Sequence, residues 1–210
     1  KKLDLAGDAQ QVTDAAAAHA IFVSGSPTNV IIEGGTIDGN SLALRGVNIG
    51  GNADGITVRG VEIKNTTQYG ILNSAAATNI LVEDNYIHDT GSGIASDSIT
   101  GAVKVIYRRN RLSTLTSSGI RLNSILHGEA YGNLIEGTTL ASIYAYGADH
   151  LNVHDNVIRD GSSLHIHLDT SGRGQVKNNT SVNAYSNCIL VEVSLHFDIS
   201  GNVCLNSGTV

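Results

Sequence analysis

Apolar side chains recur in this chain at fixed distances from a set of asparagines. Asn85, Asn110, Asn133, Asn156, Asn179 and Asn202 follow one another at spacings of 25, 23, 23, 23 and 23 residues. Gly35 and Val61 take the two earliest positions of that register. Three residues before it stand Ile32, Val58, Val82, Tyr107, Ala130, Val153, Val176 and Ile199. Two residues after it stand Ile37, Ile63, Ile87, Leu112, Ile135, Ile158, Ser181 and Cys204. Ten after it stand Ile71, Ile120, Ile143, Ile166 and Ile189, joined by Ile94 if its coil is one residue short. Self-similarity at a fixed period of this length marks a repeat architecture. Columns of like apolar side chains are what the interior of a β-solenoid needs, since its coils lie ~4.8 Å apart. Asparagine suits the corner: it tolerates a left-handed backbone, and stacked amides bond along a ladder.

The pattern predicts three short strands per coil: one before the corner, one after it and one around the tenth position. The fold class is therefore all-β, a single-stranded right-handed parallel β-helix of about eight coils, with the handedness set by the crossover rule. Residues 1–27 are the least regular and read as an N-terminal coil or cap. Within them 8–20 is Ala-rich and reads as a short cap helix or a first irregular coil, and Ile21-Phe22-Val23 as a strand. Residues 28–210 form one parallel β-helix domain. There is no initiator Met and no capping element after Gly201, so a piece of a longer chain is expected, with flanking domains or a capping partner.

Composition agrees with many short strands and tight turns: 24 Gly, one Pro, no Trp and no Met. A net charge of -6 argues against nucleic acid as a partner, while a locally basic cleft still suits an acidic polysaccharide. No run of about 18 apolar residues is present to span a membrane as a helix. Cys188 and Cys204 stand in different columns, nine and two residues after their asparagines. They are expected at different corners, beyond the ~7 Å between Cα atoms that a disulfide allows, and hence free.

The segment Asn-Ile-Leu-Val-Glu-Asp-Asn-Tyr-Ile-His-Asp-Thr-Gly-Ser-Gly-Ile at 79–94 resembles the parallel β-helix repeat of the pectate-lyase-like superfamily. The resemblance covers about residues 28–205. It implies a secreted or cell-surface protein related to pectate and alginate lyases, polygalacturonases, mannuronan epimerases or phage tailspikes. It also implies that the face of the third strand is the substrate groove. Gly60 to Ile71 is similar to the segment leading into the Asp-Pro-His-Glu motif of the mannuronan epimerases. The motif positions are occupied by Leu72, Asn73, Ser74 and Ala75, so those catalytic residues do not carry over. The Asp-Asp and Gly-His-Gly motifs of the polygalacturonases are absent too.

Strand alternation places residues nine, eleven and thirteen after the corner on the outside. The ninth column reads Gly70, Gly119, Ser142, His165, Cys188. The eleventh reads Leu72, Ala95, Arg121, Tyr144, His167, Leu190, and the thirteenth Ser74, Asp97, Asn123, Tyr146, Asp169, Glu192. Proton abstraction beside a carboxylate needs a base, an acid and a cation. Tyr144, Tyr146, His165 and His167 are the candidate catalytic groups. Arg121 is the candidate carboxylate clamp, and Asn123, Asp97, Asp169 and Glu192 are candidate substrate contacts. The expected function is that of a lyase or C5-epimerase on a uronate-containing, anionic polysaccharide. Two alternatives stand beside it: a non-catalytic glycan-binding, adhesion or tailspike module, and a glycoside hydrolase using Asp97, Asp169 or Glu192. The residues single out no certain cofactor; Ca²⁺ held by Asp169 and Glu192, as in many pectate lyases, is the candidate that the resemblance implies. His88, His150 and His154 fall on other faces and read as scaffold. Arg108, Arg109 and Arg111 read as a solvated cluster at one corner.

Overall fold

The computed structural model describes residues 2–4, 10–11 and 18–208. Among these there is no helix; every strand pair is parallel, and the chain climbs as a right-handed β-solenoid of about eight turns. Each turn adds one strand to each of three stacks. The pre-corner stack runs from Thr28–Glu33 to Phe197–Ser200, and the post-corner stack from Thr36–Asp38 to Val203–Leu205. The third stack runs from His19–Val23 through Ile143–Tyr146 and Ile166–Asp169 to Ile189–Glu192. Below these, Lys2–Asp4 pairs with Thr28–Glu33 and Gln10–Gln11 with Thr36–Asp38. The expected strand at Ile21-Phe22-Val23 is part of His19–Val23; the cap helix or coil expected over 8–20 falls mostly outside the described residues.

In two turns the third strand runs on into the next pre-corner strand, giving Ser92–Arg108 and Ile120–Tyr131. The register shifts between Asp97 and Ala102, which stand opposite Asn123 and Ile125. That insertion accounts for the single spacing of 25 residues, and Ile94 pairs with Ile71 and Ile120 as a coil one residue short requires.

The asparagine ladder is continuous. Asn110 Oδ1 accepts from the backbone N–H and the side-chain amide of Asn85 at 3.1 and 3.0 Å. Asn110 Nδ2 donates in turn to Val82 O and Asn133 Oδ1 at 3.0 and 3.1 Å, and the pattern repeats to Asn202. The left-handed backbone expected of these asparagines belongs instead to the residue before each corner. Gly34, Gly60, Asp84, Arg109, Gly132, Asp155, Asn178 and Gly201 have φ between 53° and 70°. The labour is divided for a physical reason: the ladder amide must point inward to satisfy buried backbone groups, so a small or turn-forming neighbour takes the reversal.

All three apolar columns line the interior. Their members from Ile32 and Ile37 up to Val176 and Ile166 are buried, whereas Ile199 and Cys204 of the last turn are exposed. The ninth column corrects the expectation of an outward face: Gly70, Gly119, Ser142, His165 and Cys188 are all buried. From Gly119 onwards they precede the third strand, which starts at the tenth position (Ile120, Ile143, Ile166, Ile189), so strand alternation does not govern them; Gly70 lies within Tyr69–Asn73 and is buried as well. They face the second column of the following corner across the narrow interior. A Cβ on Gly70 would meet Ile87, one on Gly93 would meet Leu112, and one on Gly119 would meet Ile135. Where the second column holds the small Ser181, the ninth holds His165, whose Nδ1 lies 2.7 Å from Ser181 Oγ.

One turn later the same pair of positions is Cys188 and Cys204, joined as a disulfide with Cα atoms 6.0 Å apart. The expectation of free cysteines is thereby overturned. The two columns are corners of one flattened cross-section, and the bond spans 16 residues, as does the His165–Ser181 contact.

Candidate active-site groove

The eleventh and thirteenth columns face outward as expected wherever they carry polar side chains; Leu72 and Ala95 are covered. Register brings Arg121, Tyr144 and His167 side by side on successive turns, and likewise Asp97, Asn123, Tyr146, Asp169 and Glu192. Two hollows follow the solenoid axis along the edge of this face. One, of about 550 Å³, is lined by Arg45, Tyr69, Leu72, Asp97, Ser117 and Arg121, among others. The next, of about 390 Å³, is lined by Ser117, Arg121, Leu140, Tyr144, Leu164 and His167, among others. Arg121 and Ser117 belong to both, so the hollows join into one groove.

At the lower hollow, Arg121 Nη1 donates to Tyr69 Oη at 3.1 Å, and Tyr69 Oη donates to Asp97 Oδ2 at 2.9 Å. Asn123 Nδ2 donates to Asp97 Oδ1 at 2.7 Å, and Arg121 lies 3.4 Å from the same carboxylate. Asn123 Oδ1 is buried with no partner among the described residues. Burial, then the charge of Asp97, pushes the Tyr69 phenol up. Tyr69 was not among the predicted site residues. It lies at the start of Tyr69–Asn73, outside the columns used for counting, and reaches the groove only because its ring leans up past the next turn. Arg45 was missed as well; it pairs with Tyr69 in register, and its guanidinium lies 3.4 Å from His19 on the turn below.

At the upper hollow, the Tyr144 and His167 rings stand 5.2 Å apart at 49°. His167 Nε2 donates to Glu192 Oε2 at 2.8 Å, so that in the neutral ring the lone pair is on Nδ1. Burial, then Asp169, raises the Tyr144 phenol, so it stays protonated at neutral pH. Tyr146 is exposed beside Asp169. His165 is not in the groove: Gly161 N–H donates to its Nε2 at 3.3 Å, and burial lowers it to about 4.

His167, Asp169 and Glu192 each present a ligand atom within 4.8 Å of the others. Ca²⁺ takes six to eight oxygens, and a set containing an imidazole nitrogen and two carboxylates fits it poorly. Asp97 sits three turns below Asp169 in the same column, so the carboxylates considered for hydrolysis divide into a distant Asp97 and an adjacent Asp169–Glu192 pair. Elsewhere, the arginine cluster is internally neutralised. Arg108 pairs with Glu83, Arg109 with Glu83 and Asp84, and Arg111 with Glu136.

A family model described as right handed beta helix region matches residues 46–204. No curated protein matches the chain in sequence. Among solved structures, an alginate lyase from Paenibacillus sp. str. FPU-7 is 14% identical, with TM-score 0.65, over 97% of this chain and 80% of that one. The catalytic unit of a thermostable GH87 alpha-1,3-glucanase from Streptomyces thermodiastaticus strain HF3-3 is 16% identical, with TM-score 0.66, over 91% and 46%. A mutant of the periplasmic alginate epimerase AlgG is 15% identical, with TM-score 0.58, over 82% and 46%. The chain spans most of the lyase but less than half of the other two. At these identities the likeness is one of fold.

Proposed function

This chain belongs to the right-handed β-helix family, and we propose that it acts on a uronate-containing polysaccharide as a lyase or C5-epimerase in the Arg45–His167 groove. The observation that carries the reading is the position of Arg121. It lines both hollows, with a phenol and an imidazole on the turns directly above it. A planar guanidinium clamps a uronate carboxylate in bidentate fashion and neutralises the charge that develops when the C5 proton leaves. His167 Nδ1 takes that proton, with Glu192 stabilising the imidazolium through Nε2. Tyr144 donates its phenolic proton. In the lyase the C–O bond to the leaving sugar breaks and its oxygen takes this proton; in the epimerase the proton returns to C5 from the opposite face.

An alginate lyase and an alginate epimerase are among the solved structures of similar fold, which supports the substrate class. The disulfide supports an extracellular or periplasmic location, where such bonds persist.

The test is incubation with alginate, pectate and glycosaminoglycan, following the ultraviolet absorbance of unsaturated uronate ends, the epimer ratio by NMR and new reducing ends. Unsaturated ends or epimerised residues are expected. His167→Ala and Tyr144→Phe should each lower kcat by about 10²–10⁴-fold, the usual contribution of a positioned acid or base. Reducing ends without unsaturation would transfer the assignment to a hydrolase using Asp169 and Glu192. A protein that binds the polymer and changes none of the three readouts is a non-catalytic glycan module.

A further inference from the structure

The pre-corner stack, a different face from the groove, carries a second cationic feature. Lys104, His127, His150 and Arg173 stand in strict register on four successive turns. All four are exposed, and the two imidazoles lie 4.9 Å apart. A hollow of about 360 Å³ runs beside Lys104, His127 and His150.

What sets this column apart is its lack of compensation. The other cationic column of the same face is Arg108, His154 and Lys177, and each is paired: with Glu83, with Glu129 and Asp155, and with Asp198. In the Lys104 column, Lys104 and His127 have no ion pair among the described residues. Asp149 alone serves the upper end, 3.2 Å from His150 and 3.8 Å from Arg173. The other acids near the column are engaged elsewhere: Glu129 by His154, and Asp54, two turns below Lys104, by Thr78 and Asn79.

We propose that this column is a second, non-catalytic site that holds a linear acidic polysaccharide along the solenoid axis, one acidic group per turn. The periodicity selects the partner. Cations recur every ~4.8 Å, close to the advance of one sugar along an extended pyranose chain. Phosphates recur every ~3.4 Å along the axis of a strand of B-DNA, which does not set one anion against each turn. A protein of net charge -6 also lacks the basic excess that nucleic acid attracts. Two stacked imidazoles repel when both are charged, and an anion laid across them removes that penalty. Imidazoles take up protons in acid, so binding strengthens from pH 8 to pH 5.5, with Asp149 and Glu129, which lines the same hollow, as the competing carboxylates among the described residues.

The full chain is run in affinity electrophoresis through gels containing alginate, with dextran as the neutral polymer and single-stranded DNA as the rival polyanion, at pH 5.5 and 8. Wild type should bind alginate more tightly at pH 5.5 than at pH 8. Lys104→Gln with Arg173→Gln should weaken binding on the order of tenfold at both pH values. His127→Gln with His150→Gln should remove the gain at pH 5.5 and leave pH 8 unchanged. Turnover of short oligosaccharides should be unaffected by all four changes, whereas Arg121→Ala should abolish turnover and leave the pH-dependent retardation. Unaltered alginate retardation in the folded fourfold variant, or retardation by DNA equal to that by alginate, overturns the second site. Neither result bears on the groove, which turnover tests separately.

Discussion

His165 illustrates how one side chain's surroundings convert into a measurable pH dependence. It is fully buried, its Nε2 accepts from Gly161 N–H, and its Nδ1 donates to Ser181 Oγ, so it is held neutral. Its folded pKa is about 4, against about 6.5 unfolded. The unfolded chain therefore binds more protons between those values. The histidine's contribution is complete above pH 6.5 and is lost as pH falls towards 4, by up to about 3 kcal/mol. Denaturant melts across pH 4–7 should show this slope, and His165→Asn should flatten it; an unchanged slope in the variant refutes the assignment. The carboxylates of Asp38, Glu62 and Asp84, lowered by their hydrogen-bond partners, weaken the fold only in more acid solution. The contrast with His167, two residues away, is one of place: one ring faces Ser181 inside, the other Glu192 outside.

At the scale of elements, the corner ladder and the disulfide carry the stack. Asn133 accepts from Asn110 N–H and Nδ2 and donates to Tyr107 O and Asn156 Oδ1. Asn133→Ala leaves all four buried partners short of a bond, at about 1–3 kcal/mol each before relaxation. A loss of at least about 3 kcal/mol by denaturant titration is expected, and a loss below about 1 kcal/mol would refute a structural role for the ladder. Cys188→Ser with Cys204→Ser opens a 16-residue closure. The loss should be about 3 kcal/mol, measured as a lower Tm of the variant, with wild type under reductant falling to match it. The last turn, where Ile199, Val203 and Leu205 are exposed, is the one that closure pins.

Across the whole molecule, function follows from stacking. A solenoid turns residues 23 positions apart into neighbours, so Arg121, Tyr144 and His167 form one row although no local motif joins them. The same rule builds the Lys104–Arg173 row on another face. Period, fold, apolar columns and the eleventh and thirteenth outward columns were legible in the sequence. They depend on 23-residue spacing and strand alternation, both of which are local. Tyr69, Arg45 and the basic row were not legible as sites, because their roles rest on side-chain reach and on which neighbouring charges are left unpaired.

The sequence by itself determined that this protein is a β-helix and which residues share a row, because repeat length and hydrophobic period are written in the chain. Only the tertiary structure decided what the ninth column does. Whether it faces in or out depends on where the coil bends and on how narrow the interior is across from Ile87, Ile135, Ser181 and Cys204. That cross-section moved His165 from the groove to the core and joined two cysteines that counting had set at separate corners.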